Sequence, residues 1–275
     1  MINIGIIGQG FVGNAIYQKF KKYYKVLTYD LNTSKCNTTK QKLLKNSEII
    51  FVCLPTPMNT NGSCNLNIVE SVINELNIIG NYLVVIKSTI PPGTTEKFNK
   101  KYKNIDIIFN PEFLTEANAI DDFENQTRII LGGSKEGTTK IKQIYSSIFR
   151  KTSKIIKTDS TTAELVKYIT NAYLATKVSF ANEMYQICEG LNLDYDKVIE
   201  YATLDTRLGD SHWGVPGPDG DFGYGGHCLP KDLKALTQTA LEIELLPKML
   251  IATDEKNDQV RTNRDWEEMK GRAVI

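Results

Sequence analysis

Residues 2–13 read Ile2-Asn3-Ile4-Gly5-Ile6-Ile7-Gly8-Gln9-Gly10-Phe11-Val12-Gly13. An apolar β-branched run, then glycines at this spacing, then a helix is the opening of a βαβ unit. The first glycine permits a tight turn, the second lets a ligand approach the backbone, and the third lets the helix pack on the strand. This stretch therefore predicts an α/β sheet with an anion-binding helix N-terminus after its first strand.

Asp30 ends the second apolar run, Val26 to Tyr29. A carboxylate about 20 residues beyond such glycines binds a ribose 2′-hydroxyl and repels a 2′-phosphate, so NAD is favoured over NADP. The glycine pattern alone would indicate no more than a tight turn, but strand, glycines, helix and acid stand here in the required order. The predicted cofactor-binding residues are Gly8, Gly10, Phe11, Val12, Gly13, Asp30 and, as a weaker candidate for an adenosine-phosphate contact, Lys35.

Short apolar runs continue to about Asp159 and alternate with segments typical of helices. The further runs are Ile49 to Leu54, Leu83 to Ile86, Ile105 to Phe109, Ile129 to Leu131 and Ile155 to Ile156. Continuous apolar runs suit strands that are buried on both faces. We therefore predict a fold of the α/β class, with a doubly wound, mostly parallel Rossmann-like sheet in a domain at residues 1–160.

Strand signals stop after Asp159, and residues 161–275 are predicted to form an all-helical domain with one long central helix. Thr161 and Glu164 have the spacing of a capping box before a segment, Ala163 to about Glu189, that lacks internal Gly and Pro. Further helices are predicted at Asp194 to Leu204, Leu229 to Glu242 and Pro247 to about Lys270, with a loop rich in Gly and Pro between Asp205 and Gly226.

Composition excludes several classes of protein. The chain has 275 residues, 41% of them hydrophobic, and a net charge of +1, which lacks the basic excess of a protein that binds nucleic acid through its phosphates. No apolar stretch approaches membrane-spanning length and the N-terminus has no signal-peptide pattern, so we expect a soluble, cytosolic protein. The five cysteines have no CxxC spacing, and His212 and His227 have no further ligands nearby, so neither disulfides nor a metal site are predicted.

The most informative stretch for chemistry is Gly223-Tyr224-Gly225-Gly226-His227-Cys228-Leu229-Pro230-Lys231-Asp232. The glycines let backbone approach a ligand, and Pro230 suits the first turn of a helix. Cys228 is then at a helix N-terminus beside Lys231, where positive potential favours the thiolate. A cysteine at a helix start is more often structural, but its glycine and Lys-Asp neighbours favour a nucleophile.

This stretch resembles the nucleophile motif of the UDP-glucose/GDP-mannose dehydrogenase family, and four other segments resemble the same family in the same order. They are Phe51-Val52-Cys53-Leu54-Pro55-Thr56-Pro57, Lys87-Ser88-Thr89-Ile90-Pro91-Pro92-Gly93, Asn110-Pro111-Glu112-Phe113-Leu114-Thr115-Glu116, and Ala163-Glu164-Leu165-Val166-Lys167 through Asn171 to Asn182-Glu183. The resemblance covers most of the chain.

The resemblance implies a four-electron oxidation of the C6 alcohol of a nucleotide sugar, with UDP-glucose favoured and GDP-mannose and the UDP-N-acetylhexosamines left open. Two NAD molecules in succession take hydrides, and Cys228 carries a thiohemiacetal and then a thioester that water releases. The resemblance further implies cofactor contacts from Pro55, Thr56, Thr89, Glu116 and Lys231, and substrate contacts from Glu112, Phe113, Leu114, Lys167, Asn171, Tyr224, Gly225 and Cys228. Arg207 is a further candidate, as a cation that neutralises a substrate phosphate, although an arginine in such a loop is often simply exposed. The resemblance also implies a homodimer that pairs through the long central helix.

The candidate catalytic residues are Cys228, Lys167, Asn171, Asp232, Glu116, Thr89 and Glu112. Lys167 and Asn171 are four positions apart, so they share a helix face and both suit an oxyanion, although a solvated face would show the same spacing. By resemblance Glu116 and Thr89 hold water and Glu112 lines the same pocket, whereas acids at such spacing are usually exposed. Asp232 lies one turn after Cys228 and is a candidate base, or simply a first-turn acid, and Lys231 is expected near the cofactor or Asp232.

The sequence departs from the family in one respect, because members usually continue into a third α/β domain that binds much of the nucleotide, and these 275 residues do not include it. The loop that contains Trp213 is a candidate for contacting the sugar or the base instead, or the sequence is part of a longer protein. Two other functions stay open: a two-electron β-hydroxyacid dehydrogenase, which Cys228 disfavours, and a non-catalytic nucleotide-binding module.

Overall fold

The computed structural model describes residues 2–149 and 153–275. The chain divides into two units, one formed by Met1–Thr56 and Leu66–Lys167 and the other by Pro57–Asn65 and Tyr168–Ile275. This division differs from the predicted domain border at residue 160, because residues 57–65 and 168–275 form the second unit.

The first unit is built on one sheet whose strands follow the predicted apolar runs. They are Asn3–Ile7 (β1), Lys25–Tyr29 (β2), Ile49–Val52 (β3), Leu83–Ile86 (β4), Asp106–Phe109 (β5), Arg128–Gly132 (β6) and Lys154–Thr158 (β7). The order across the sheet is β2-β1-β3-β4-β5-β6-β7. Neighbouring strands are parallel except for β5 and β6, which are antiparallel. The predicted fold class is confirmed.

Helices cover the sheet because successive strand residues point to opposite faces and both sets are apolar. The helices of this unit are Phe11–Phe20 (α1), Lys40–Asn46 (α2), Asn67–Ile79 (α3), Thr94–Lys101 (α4), Ala119–Glu124 (α5) and Lys135–Phe149 (α6). Phe51 lies in one buried cluster and its neighbour Val52 in the other. From β1 the chain turns to β2 on one side and later to β3 on the other, and open α/β sheets bind ligands at such a reversal.

The second unit is helical, as predicted. Its helices are the greater part of Ser160–Gly190 (α7), which begins in the first unit, then Tyr195–Ala202 (α8), Leu229–Glu242 (α9) and Lys248–Val260 (α10). One buried cluster forms around Tyr195 and Trp213, and another around Ala175, Tyr224 and Leu233. In the described part of the chain, no helix combines the length and the apolar character that crossing a membrane requires.

The predicted capping box at the start of α7 is wrong. Asp159 supplies the cap, since its Oδ1 accepts a hydrogen bond of 2.7 Å from the Thr162 backbone N–H. The Glu164 carboxylate instead accepts hydrogen bonds from the backbone N–H groups of Gly93 (2.6 Å) and Thr95 (2.8 Å). A long-range partner at the start of α4 therefore replaces the local one.

The predicted helix from Pro247 to about Lys270 is too long, because α10 ends at Val260. Arg261 has extended backbone there, and its side chain is buried against Asp219 and Asp221. The sequence beyond Val260 has no helix breaker, so the helix ends because a tertiary ion pair draws Arg261 away from the helical path.

Candidate active site

The glycine turn of the first unit has the geometry that its spacing predicts. Gly8 has φ +94°, and a Cβ there would lie 2.2 Å from the Cys53 carbonyl oxygen. A Cβ on Gly13 would lie 1.9 Å from the Gly8 carbonyl oxygen, whereas a Cβ on Gly10 would meet nothing within 4 Å. Gly8 and Gly13 thus allow close main-chain packing, and Gly10 leaves open space at the N-terminus of α1, where backbone N–H groups favour an anion.

Asp30 is joined directly to this turn. Its Oδ2 accepts a hydrogen bond of 2.7 Å from the Gln9 backbone N–H, and its Oδ1 accepts one of 2.8 Å from Asn32. A carboxylate has capacity for further donors, so a ribose hydroxyl fits beside these two. Lys35 is exposed at the end of a short 3₁₀ turn after Asp30. These residues suit a dinucleotide: a phosphate at the open turn and a ribose at the acid.

The loops after β3 and β4 are tied together at the carboxyl end of the sheet. Thr56 Oγ1 donates a hydrogen bond of 2.8 Å to the Thr89 carbonyl oxygen, and the Leu54 backbone N–H donates one of 2.9 Å to Ser88 Oγ. Thr56 and Thr89 are buried, whereas Pro55 is exposed. Three residues predicted to contact the cofactor thus lie on loops beside the reversal point of the sheet.

The acidic loop after β5 separates its two glutamates. Glu112 is buried, and its carboxylate is 2.9 Å from Lys167 Nζ and accepts a hydrogen bond of 2.7 Å from the Leu114 backbone N–H. The centroid of the Phe113 ring is 4.3 Å from the Arg128 guanidinium carbon and 5.7 Å from Lys167 Nζ. Glu116 is exposed. The alternative that these acids are simply solvent-exposed is therefore wrong for Glu112, whose carboxylate lies beside the Lys167 ammonium.

Lys87 is a buried cation for which the sequence predicted no role. Its Nζ donates hydrogen bonds to Asn110 Oδ1 (3.1 Å) and to the Pro111 carbonyl oxygen (3.3 Å), and Tyr145 donates to the same Asn110 oxygen (2.6 Å). Burial lowers the pKa of Lys87 to about 8. The network fixes the turn from which the acidic loop starts. The sequence signal that could have identified this buried lysine is its position directly after the buried strand Leu83–Ile86.

In the second unit Cys228 occupies the N-cap position of α9, with Pro230 in the first turn. The Asp232 backbone N–H donates a hydrogen bond of 2.9 Å to the Cys228 carbonyl oxygen, as expected for the first turn of a helix. The Asp232 carboxylate pairs with Lys231 and accepts a hydrogen bond of 2.6 Å from Asn171 Nδ2. The structure thus brings together the thiol-bearing turn, its lysine, its acid and the amide of α7.

Charge and burial distinguish this group from a solvated surface. Lys231, Asp232 and Asn171 are all buried, so the alternative of a solvated helix face is wrong for Asn171, as it is for the buried Lys167. Burial alone would lower the pKa of Lys231, but Asp232, with smaller contributions from Cys64 and Cys228, raises it above its ordinary value. The Asp232 carboxylate therefore favours the charged form of Lys231, which lies beside Asp232, one of its two predicted positions.

Other residues predicted to bind substrate have partners within the second unit. Tyr224 is buried in a core cluster, and its backbone N–H and carbonyl both bond to Asn257, whereas its contact with substrate stays a prediction. A Cβ on Gly225 would lie 2.2 Å from Arg261 Nη2, so this glycine makes room for a protein side chain. Arg207 is exposed and pairs with Asp205, and its contact with substrate stays a prediction.

The Trp213 ring packs inside the second unit and does not present an open face to which a sugar could bind. Its ring is buried in a core cluster, with Phe180 at 6.2 Å and Lys177 Nζ at 4.8 Å, and its indole N–H donates to the Gly209 carbonyl oxygen. All five cysteines are present as thiols. Within residues 2–149 and 153–275, no three His, Cys, Asp or Glu side chains cluster so as to hold a metal ion.

Both units match sequence models of one family. Residues 25–152 match the NAD binding domain of the UDP-glucose/GDP-mannose dehydrogenase family, and residues 161–259 match its central domain. The first of these matches confirms the prediction of NAD as the cofactor. This match begins at residue 25, after the glycine turn at residues 8–13. The assignment of that turn to cofactor binding therefore depends on its geometry alone.

Individual relatives agree with this match. A UDP-glucose 6-dehydrogenase of Rickettsia bellii is 34% identical over 246 residues, which are 84% of this chain and 55% of that protein. A UDP-glucose dehydrogenase structure from Pyrobaculum islandicum has a TM-score of 0.85 at 26% identity, over 94% of this chain and 68% of that chain. A Mycobacterium tuberculosis 3-hydroxyisobutyrate dehydrogenase, with TM-score 0.76 and 15% identity over 94% and 93%, shares the fold alone. The chain spans about half the length of the Rickettsia relative.

Proposed function

The chain belongs to the UDP-glucose/GDP-mannose dehydrogenase family, and from that premise we propose that it oxidises the C6 alcohol of a nucleotide sugar to a carboxylate. UDP-glucose is the favoured substrate and UDP-glucuronate the product, since curated relatives are named for the former. The observation that carries the proposal is Cys228 at the N-terminus of α9, with Lys231 and Asp232 in the same turn and Asn171 bonded to Asp232.

The first oxidation removes a hydride from C6 and a proton from its hydroxyl. NAD⁺, when bound, accepts the hydride, and Asp30 with the open turn at Gly10 are the residues suited to hold it. The alkoxide that develops on the sugar needs positive or hydrogen-bonding groups, and Lys167 Nζ and Asn171 Nδ2 are the proposed donors. Glu112 favours the charged form of Lys167, because a buried ammonium requires a counter-ion.

The second oxidation uses the thiol. Cys228 Sγ adds to the aldehyde carbon, which forms a C–S bond and a thiohemiacetal, and loss of a second hydride from that carbon gives a thioester. Water then attacks the thioester carbon, and the C–S bond breaks to release the carboxylate and restore the thiol. Asp232 is the proposed base for this water, with Glu116 and Thr89 as the groups that hold it. The overall change is one alcohol and one water to one carboxylate, with two NADH and three protons.

The test is a stoichiometry measurement on purified protein with NAD and a panel of UDP- and GDP-sugars. We expect two NADH per UDP-glucose consumed. Cys228→Ala should lower the rate of carboxylate formation by about 10³-fold or more, since the nucleophile is removed. Cys188→Ala, which changes a buried cysteine in the core of the same unit, is the matched control and should retain activity.

Two results would contradict the proposal and point to the alternatives. One NADH per sugar, unaffected by Cys228→Ala, would indicate a two-electron dehydrogenase of the β-hydroxyacid type. Binding of NADH without turnover of any sugar nucleotide would indicate a non-catalytic nucleotide-binding module.

We also propose that two copies pair through α7. Apolar side chains stand exposed along this helix at spacings of four and seven: Leu165, Ile169, Tyr173, Phe180 and Ile187. A continuous apolar stripe on one helix face suits an isologous two-fold interface. Sedimentation of the unaltered protein should give a dimer and Tyr173→Glu should shift it toward a monomer. A monomeric unaltered protein would disprove the pairing.

A further inference from the structure

Side chains from three distant segments bond to the backbone of the loop that leads to Cys228. Asn182 accepts a hydrogen bond of 3.1 Å from the Gly223 N–H, and Asn257 accepts one of 2.7 Å from the Tyr224 N–H. Asp265 accepts a hydrogen bond from the Gly226 N–H, with both carboxylate oxygens at 3.1 Å. The path of the loop is therefore set by side chains and not by its own sequence alone.

The Asp265 contact is the nearest of the three to the thiol. Gly226 stands two residues before Cys228 and has φ +72°, a left-handed conformation that decides the direction in which the chain enters α9. A Cβ on Gly225 would lie 2.5 Å from Asp265 Oδ1, so the neighbouring glycine is what lets the carboxylate reach the backbone. The glycines of this loop thus accommodate Asp265.

The Asp265 carboxylate is held in its turn by a buried arginine. The Arg261 side chain is 1% exposed, and its Nη2 is 2.7 Å from Asp219 Oδ2 and 3.4 Å from Asp265 Oδ1. Its Nη1 donates a hydrogen bond of 3.4 Å to the Phe222 carbonyl oxygen. A buried guanidinium needs such acceptors, so Arg261 joins Asp265 to the start of the same loop.

Residues 261–275, which we call the clasp, are a folded part of the second unit. Trp266 and Ala273 within the clasp are buried. The Met58 backbone N–H donates a hydrogen bond of 2.7 Å to the Ala273 carbonyl oxygen, and the Ile275 N–H donates one of 3.1 Å back to Met58. Asp265 is therefore presented from a segment that is anchored on both sides of it.

We propose that Asp265 is a positioning residue for Cys228. By fixing the Gly226 peptide group, it sets the place of the thiol at the N-terminus of α9, where the helix amides favour negative charge on sulfur. Its consequence for catalysis rests on the proposed function. Its consequence for the reactivity of the thiol does not, because alkylation of a cysteine needs neither NAD nor a sugar.

The test measures the rate at which iodoacetamide alkylates each cysteine of the full chain, resolved by peptide mass spectrometry. In Asp265→Ala we expect Cys228 to react roughly 3- to 10-fold more slowly, the scale of the net contribution of one typical intramolecular hydrogen bond. Cys36, which lies in the first unit, is the internal reference and should be unchanged. Asp265→Asn keeps an oxygen for the Gly226 N–H and should restore the Cys228 rate to within about twofold.

The matched control is Asp258→Ala, which removes an exposed aspartate that pairs with Arg264. It should leave the Cys228 rate unchanged. If Asp265→Ala does not fold, Asp265→Glu takes its place: it keeps the charge but displaces the carboxylate, and should slow Cys228 while Asp265→Asn does not. A Cys228 rate in Asp265→Ala, or in the Asp265→Glu substitute, at or above that of the unaltered protein overturns the proposal, whether or not any sugar is oxidised.

An active protein offers a second measurement. If the protein turns over, Asp265→Ala should lower kcat with little change in KM, because the thiol acts after the sugar is bound. A change confined to KM would contradict a role in placing the thiol.

Discussion

The glycine turn at residues 8–13 and the glycine loop at residues 223–226 have similar compositions but are held in different ways. In the first, added Cβ atoms on Gly8 and Gly13 would strike main-chain oxygens, 2.2 Å and 1.9 Å away. In the second, Cβ atoms on Gly223 and Gly225 would strike side chains, at 2.3 Å from Asn257 and 2.2 Å from Arg261. One loop is shaped by the backbone of its own sheet, and the other by side chains that arrive from elsewhere in the chain.

The largest effect is expected from Gly8→Ala, which tests whether backbone packing holds the first turn. The substitution places a Cβ at φ +94° and against a carbonyl oxygen, so we expect a loss of about 3 kcal/mol or more in the free energy of unfolding of the first unit. Urea unfolding without NAD measures it. Gly10→Ala is the control, because a Cβ there meets nothing within 4 Å. Equal stability of Gly8→Ala and the unaltered protein would contradict the comparison.

The next effect is expected from Asn257→Ala, which tests whether side chains hold the second loop. Asn257 is 1% exposed, and its amide satisfies both the N–H and the carbonyl of Tyr224. Without it, two buried peptide groups lose their partners, at a cost of about 2 kcal/mol. Thermal unfolding should show this loss. Gln259→Ala changes an exposed residue of the same helix and should show none, so a similar loss in both variants would argue against a specific role for Asn257.

These differences explain how much the sequence could predict. The strands β1 to β7 and the turn at Gly8 were predictable, because each depends on apolar runs or on main-chain contacts that the local spacing encodes. The bounds of α9, Leu229–Glu242, were also predicted correctly, since Pro230 and the following apolar positions mark them.

The errors occur where a distant side chain outweighs the local pattern. Glu164 leaves its predicted capping box for two amides at the start of α4, and α10 stops at Val260 because Arg261 pairs with aspartates some 40 residues earlier. The role of Asp265 was missed for the same reason. Its partner is a backbone N–H at Gly226, and no sequence pattern links the two positions.

A smaller effect, on NAD affinity, is expected to distinguish the two glycine loops. Gly10→Ala should leave stability unchanged but weaken NAD binding by about tenfold, because the added methyl group occupies space through which a pyrophosphate would approach the backbone. Titration calorimetry with NADH measures it. Gly226→Ala, in the other loop, should not change NADH affinity. Unchanged affinity in Gly10→Ala would mean that the open space at the first turn is not used by the cofactor.

The smallest effect is expected from acid. The aspartates beside the second loop, Asp219 and Asp221, pair with the buried Arg261, whereas Asp30 at the first turn is hydrogen-bonded to backbone N–H groups. Burial alone would raise the pKa of Asp219, but the hydrogen bonds from Arg261 and from the Asp221 backbone N–H, together with the Arg261 charge, outweigh burial and lower that pKa below its ordinary value. The Asn263 backbone N–H lowers the pKa of Asp221. An acid whose pKa is lowered in the folded protein stabilises the fold fully at a pH above its unfolded-state pKa. This contribution is lost as the pH falls through the lowered pKa of the folded state.

Both aspartates are partly exposed, so the contribution is at most about 1 kcal/mol for each pair. Hydrogen exchange at pH 3 and pH 6, corrected for intrinsic rates, should therefore show protection falling at residues 219–226 before residues 8–13. Arg261→Met removes the shared cation and should reduce this pH difference, since Asp219 then loses the partner that lowers its pKa, whereas Asp221 keeps the Asn263 backbone N–H. Loss of protection in both loops at the same pH would show that carboxylates do not distinguish them, and that backbone packing governs the second loop as well.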